Sequence, residues 1–186
     1  MARFVLITGM MGSGKSVVSE LLRKKHYIVI DSDSEVKKLY EDPEIYQFIV
    51  SRLGKDYLDE YNKIDLKKMR MVFANPTLFS EELMNRLLVK FTKNVDDKYL
   101  NSKEVIFIEA ALTTDIQKVR ARLNIFDMVI VHASADIRHN RLIKRTGYAD
   151  MYMQNLEDRQ SFENLNSTTT GINVPTHRVY HLENNG

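Results

Sequence analysis

Three groups of residues have types and spacings that could do chemistry on phosphate. The first is ITGMMGSGKS, Ile7 to Ser16, where Gly9 is followed after four residues by Gly14-Lys15-Ser16. That is a complete G-x-x-x-x-G-K-[ST] pattern. Gly9, Gly12 and Gly14 let a backbone turn tightly and come close to an anion, so that successive N–H groups converge on phosphate oxygens. Lys15 brings a mobile cation to the β- and γ-phosphates, and the Ser16 hydroxyl suits Mg²⁺. The second group is acidic. Asp31 and Asp33 stand two apart in VIDSD, and Glu109 closes the apolar run VIFI. A carboxylate at the mouth of a phosphate site can accept the proton of an incoming hydroxyl, the role expected of Asp33. Asp31 and Glu109 are expected near the metal, with Ser16 as its third protein contact. The third group is cationic. Arg141 and Arg145 lie four apart, on one helix face, and suit the charge that spreads over a phosphoryl group in flight.

These side chains need a scaffold that brings them to one edge. Phe4-Val5-Leu6-Ile7 reads as a strand, and Val17, Val18, Leu21 and Leu22 repeat at helical spacing. Tyr27-Ile28-Val29-Ile30 reads as a second strand. A strand–helix–strand unit implies parallel pairing, and ligands of such sheets sit beyond the carboxyl ends of the strands. The glycine loop and the Asp31/Asp33 cluster therefore belong to the same edge. Val105-Ile106-Phe107-Ile108 and Met128-Val129-Ile130-Val131 read as buried strands, and Arg178 to Leu182 as a last one. Ser134 is placed to cap the helix that carries the arginines.

Residues 35 to 100 read as helical. Ile45, Phe48, Ile49 and Leu53 share a face between Pro43 and Gly54; Leu66, Met69 and Phe73 share another, before Asn75-Pro76. Leu83, Leu87, Leu88, Phe91, Val95 and Tyr99 follow, with Ser80 as a cap. Ile116, Val119 and Leu123 read as a short helix, and a polar helical stretch runs to about Glu163. The expected fold is α/β, a phosphate-loop NTPase type of parallel sheet flanked by helices. It is read as one domain over 1–186, with a core of 1–34 and 103–186, a helical acceptor-binding insert of about 35–102 and a lid of about 141–160.

The composition narrows the function classes. The chain has 186 residues, 44% of them hydrophobic, and a formal charge of only +2. That balance is no nucleic-acid footprint. With no cysteine, there is no disulfide, thiolate nucleophile or zinc knuckle. The N-terminal apolar run is too short for a signal peptide, and no stretch approaches a membrane span. A cytoplasmic protein is expected, binding ATP and a small-molecule acceptor, with no nucleic acid or membrane partner. The sequence carries no signature of an oligomeric state.

The chain resembles the dephospho-CoA kinase family over most of its length. ITGMMGSGKS is similar to the family's opening loop, and VIDSD, Val29 to Asp33, to its isoleucine-aspartate-x-aspartate signature. LKKMRMVFANP, Leu66 to Pro76, is similar to its leucine-x-x-x-valine/isoleucine-phenylalanine-x-x-proline stretch. Met128 to Arg145 resembles its fourth strand and lid helix, and HLENNG, His181 to Gly186, the turn near the adenine. The resemblance implies transfer of the ATP γ-phosphoryl group to the ribose 3′-hydroxyl of dephospho-CoA. It implies Asp33 as base, Lys15 as phosphate lysine and Arg141 or Arg145 as lid arginine. ATP is expected on Gly9, Met11, Gly12, Ser13, Gly14, Lys15, Ser16 and Val17, with Asn185 near its base. The chain departs from the family pattern at Glu109 to Thr114, in place of a proline-leucine-leucine segment, and at Arg145-Thr146, in place of arginine-aspartate. Kinases of nucleoside monophosphates or shikimate-like acceptors, and a non-catalytic ATP-binding regulator, remain the alternatives.

Overall fold

The computed structural model describes residues 2–74, 81–110, 123, 125–146 and 178–186. Ser80, most of the 116–123 helix, residues 147–160 of the expected lid and the polar stretch to Glu163 lie outside them. The chain divides into two compact units, Met1–Asp31 with Tyr99–Gly186, and Ser32–Lys98.

The first unit is a five-stranded sheet in the order β2-β3-β1-β4-β5, parallel throughout. Its strands are β1 (Arg3–Thr8), β2 (Ile28–Asp31), β3 (Val105–Glu109), β4 (Ile125–His132) and β5 (Val179–Glu183). Helix α1 (Lys15–Lys24) follows β1. The central strand explains its own position: Phe4, Val5, Leu6 and Ile7 are all buried, as an uninterrupted apolar run requires. Leu6, Ile7, Ile106, Ile108, Ile125 and Val131 form the heart of the core. Each such side chain contributes about 1.5–3 kcal/mol on burial.

Strand β4 begins at Ile125, three residues before the apolar run that announces it. Asp127 masks its start. That carboxylate is buried, and Arg3 Nη2 donates to its Oδ2 at 2.6 Å while the Arg178 N–H donates to Oδ1 at 3.2 Å. A buried charge persists only when paired. Here the pairing ties the start of β1, β4 and the entry to β5 together, at the end of the sheet away from the glycine loop.

The second unit is helical: α2 (Ser32–Leu39), α3 (Pro43–Leu53), α4 (Leu66–Ala74) and α5 (Glu81–Tyr99). Asp42 caps α3, accepting from the Glu44 and Ile45 N–H groups at 3.0 and 3.2 Å, and Pro43 opens the first turn. Gly54 ends that helix with a φ of 89°. Ile45 and Ile49 are buried, as are Leu83, Leu87, Leu88, Phe91 and Val95 on α5. Outside this core, Lys90 pairs with Asp42 and Glu44, and Arg86 with Glu44 and Glu82. The Arg86 guanidinium also lies 4.6 Å from the centre of the Phe48 ring. Among the described residues no helix is long and apolar enough to cross a membrane.

Candidate functional site

Strand β1 delivers the chain to the carboxyl edge of the sheet at Thr8, where the glycine loop begins. Helix α6 (Ala135–Thr146) and the turn after β5 reach the same edge. Two glycines are held there by contact. A Cβ on Gly9 would sit 2.3 Å from the Val131 carbonyl oxygen, and one on Gly14 2.0 Å from Asn184 Nδ2. At Gly9 the neighbour is fixed backbone, whereas at Gly14 the Asn184 side chain would have to shift. Gly14 is also the N-cap of α1, in the left-handed region at φ 95°, with no side-chain cap and no acidic residue in the first turn behind it. The positive end of α1 is therefore left for an external anion rather than neutralised internally.

The Lys15 ammonium bends back over the loop and donates to the Gly9 and Met10 carbonyls at 2.9 and 3.0 Å. The Met10 carbonyl also accepts the Ser13 N–H at 3.2 Å, which closes the loop's turn. Thr8 Oγ1 and Ser13 Oγ are buried and have no partner among the described residues. An unsatisfied buried hydroxyl costs about 1–3 kcal/mol. A cation, an uncapped helix start and unsatisfied hydroxyls around one tight loop fit a polyphosphate.

Asp31 and Glu109 are register partners at the ends of β2 and β3, and Glu109 is also the partner of Ile7 on β1. In-register neighbours on parallel strands project to the same face, so the two carboxylates flank each other beside the strand that feeds the loop. Carboxylates and a hydroxyl, with no sulfur or imidazole, are a hard donor set that suits Mg²⁺. Ser16, the expected hydroxyl, is exposed in the first turn of α1, as is Val17. Asp33 belongs to the helical unit, exposed in the first turn of α2. Its charge adds to burial, the larger cause, in pushing the Tyr40 phenol well above its ordinary value.

The arginines separate. Arg141 Nη1 donates to the Gly12 and Ser13 carbonyls at 3.2 and 3.3 Å, and Nη2 to the Asn184 carbonyl at 3.1 Å. It binds the back of the loop instead of standing clear of it. Arg145 closes the same helix, and its side chain lies outside the described residues. Arg138, one turn earlier, is buried, with Nη1 3.5 Å from the Met11 carbonyl. The two asparagines also divide. Asn185 Oδ1 accepts the Ser134 N–H at 3.2 Å, at the entrance to α6, whereas Asn184 Nδ2 donates to the Ser13 carbonyl at 3.0 Å. Asn184 and Arg138 are the contacts that the motif reading missed. Strand pairing was the available signal for the first: the Asn184 N–H continues the β4–β5 ladder to the His132 carbonyl at 2.8 Å.

An open cavity of about 720 Å³ lies within the helical unit, lined by Tyr40, Tyr46, Lys37, Lys63 and Lys67 among others. Glu41, Asp59 and Asp65 share its wall, so its charge is balanced and it is no anion trap.

The chain matches the family model for dephospho-CoA kinase over residues 3–169. It is 28% identical over 177 residues to a dephospho-CoA kinase of Streptococcus agalactiae, covering 89% of each chain. Among solved structures it is similar to TT1252 from Thermus thermophilus, with a TM-score of 0.72 at 22% identity, covering 100% of this chain and 90% of that one. A dephospho-CoA kinase from Campylobacter jejuni gives a TM-score of 0.59 at 17% identity, covering 100% and 90%. At those identities the two structures speak for the fold alone. The sheet order, the loop built on β1 and α1, and a family match spanning most of the sequence agree: the chain belongs to the dephospho-CoA kinase family.

Proposed function

We propose that this protein transfers the γ-phosphoryl group of ATP to the ribose 3′-hydroxyl of dephospho-CoA, giving coenzyme A and ADP. The observation that carries the reading is the family match over residues 3–169, joined to a glycine loop whose Lys15 ammonium lies over the Gly9 and Met10 carbonyls. Gly9, Met11, Gly12, Ser13, Gly14, Lys15, Ser16 and Val17 hold the triphosphate. The main-chain N–H groups and the α1 dipole face its oxygens, and Lys15 turns from the loop carbonyls to the β- and γ-phosphates. Ser16, Asp31 and Glu109 would hold Mg²⁺, which would screen the charge of the phosphates.

Asp33 accepts the acceptor's hydroxyl proton. It stands two residues beyond Asp31 in the chain. Arg145 meets the transferred group from the last turn of α6, while Arg141 keeps the loop in shape. Asn185 lies at the turn beside which the adenine is placed. Both substrates are diffusible nucleotides, which fits a cytoplasmic enzyme.

The test is an acceptor panel. With Mg²⁺-ATP, dephospho-CoA should release ADP, while shikimate and deoxynucleoside monophosphates should not. Turnover with one of the latter alone would replace the acceptor, and ATP binding without any acceptor-dependent turnover would favour a regulator.

A further inference from the structure

The turn after β5 touches the glycine loop at one peptide group. Asn184 Nδ2 donates to the Ser13 carbonyl at 3.0 Å, and Arg141 Nη1 donates to the same oxygen at 3.3 Å. Asn184 is itself held on three sides. Its N–H donates to the His132 carbonyl at 2.8 Å, and Arg141 Nη2 reaches its carbonyl and its Oδ1 at 3.1 and 3.5 Å. Gly14 leaves the room for this: the Asn184 amide nitrogen occupies the place where a side chain of residue 14 would start.

A trans peptide is planar, so the Ser13 carbonyl and the Gly14 N–H point in opposite directions. Two donors pulling the carbonyl toward Asn184 and Arg141 therefore turn the Gly14 N–H away from them. Without the donors that peptide could rotate through its neighbouring φ and ψ, and the glycine after it sets little barrier.

We propose that Asn184 is a positioning residue for the phosphate site: with Arg141 it pins the Ser13 carbonyl outward, so that the Gly14 N–H faces the polyphosphate. This rests on the reading that the Gly9–Ser16 loop binds the triphosphate. It gives the C-terminal turn a role in phosphate affinity that is separate from any contact with the base.

Inorganic tripolyphosphate and adenosine divide the possibilities, because one has no base and the other no phosphate. Asn184→Leu keeps the branching and the main-chain bonds of the residue and removes the donor without adding a charge; Asn184→Ala removes the side chain. Both should weaken ATP and tripolyphosphate by the same factor, about five- to tenfold, the effect of one hydrogen bond. Adenosine binding should not move. Unchanged tripolyphosphate affinity in a folded variant overturns the proposal, and a loss confined to ATP and adenosine makes Asn184 a base contact instead.

A measurement on the unaltered protein guards against variants that fail to fold. On addition of tripolyphosphate the Gly14 amide resonance should shift together with those of Lys15 and Ser16. If Lys15 and Ser16 shift and Gly14 does not, the loop binds phosphate and the proposal falls. If none of the three shifts, the phosphate-binding reading itself is wrong and the proposal falls with it.

Discussion

On the proposed reading, phosphate chemistry depends most on Lys15. With its ammonium already over the loop carbonyls, Lys15→Ala should leave the fold in place and lower kcat/KM by about a thousandfold or more, since a buried-site cation facing phosphate is worth several kcal/mol. Thermal melts of the free variant separate this from unfolding. Asp33→Asn tests the base: kcat should fall by about a hundred- to ten-thousandfold with ATP affinity little altered, and an unchanged kcat removes Asp33 from the role. At this scale the motif letters were legible, because their order and spacing stand in the sequence itself. The choice between Arg141 and Arg145 was not legible. Both lie on one face at one spacing, and only the approach of Gly12, Ser13 and Asn184 distinguishes the first of them. Asn184 escaped for a related reason: neighbouring asparagines look alike until strand pairing decides which one faces the loop.

Elements were legible wherever apolar periodicity met punctuation. Helix α3 runs from Pro43 to Leu53 between the expected proline and glycine, and α4 takes up the Leu66, Met69 and Phe73 pattern. The start of β4 was hidden because Asp127 interrupts its apolar pattern, and a strand accepts such an acid only when something like Arg3 meets it. Strand order was also beyond reach, since β3 and β4 are equally apolar and nothing local says which flanks β1. Asp42→Ala should cost about 1 kcal/mol through the lost α3 cap, read as a lower melting temperature. A pH dependence follows from the same corner. The bond from Lys90 holds the Glu44 carboxyl below its ordinary 4.5, and Arg86 does the same for Glu82. Depressed carboxylates stabilise the folded state above that ordinary value and lose the effect as pH falls through their lowered values. Melting temperature should therefore drop with acid below about 4.5, and Lys90→Met should flatten part of that drop.

For the whole molecule, the parallel sheet explains why residues far apart in sequence serve one loop. Strand β1 starts it, β3 and β2 bring Glu109 and Asp31 beside it, and the end of β5 brings Asn184 to its back. The helical unit has its own apolar core and its own charge network. The central claim is that one phosphoryl group passes from ATP on this loop to the ribose of dephospho-CoA. Phosphorus NMR of a reaction with Mg²⁺-ATP and dephospho-CoA tests it most directly. The account predicts a new 3′-phosphomonoester signal growing in step with ADP, one for one, and absent with Lys15→Ala. ADP that accumulates without that signal, or a signal undiminished in the variant, would contradict it.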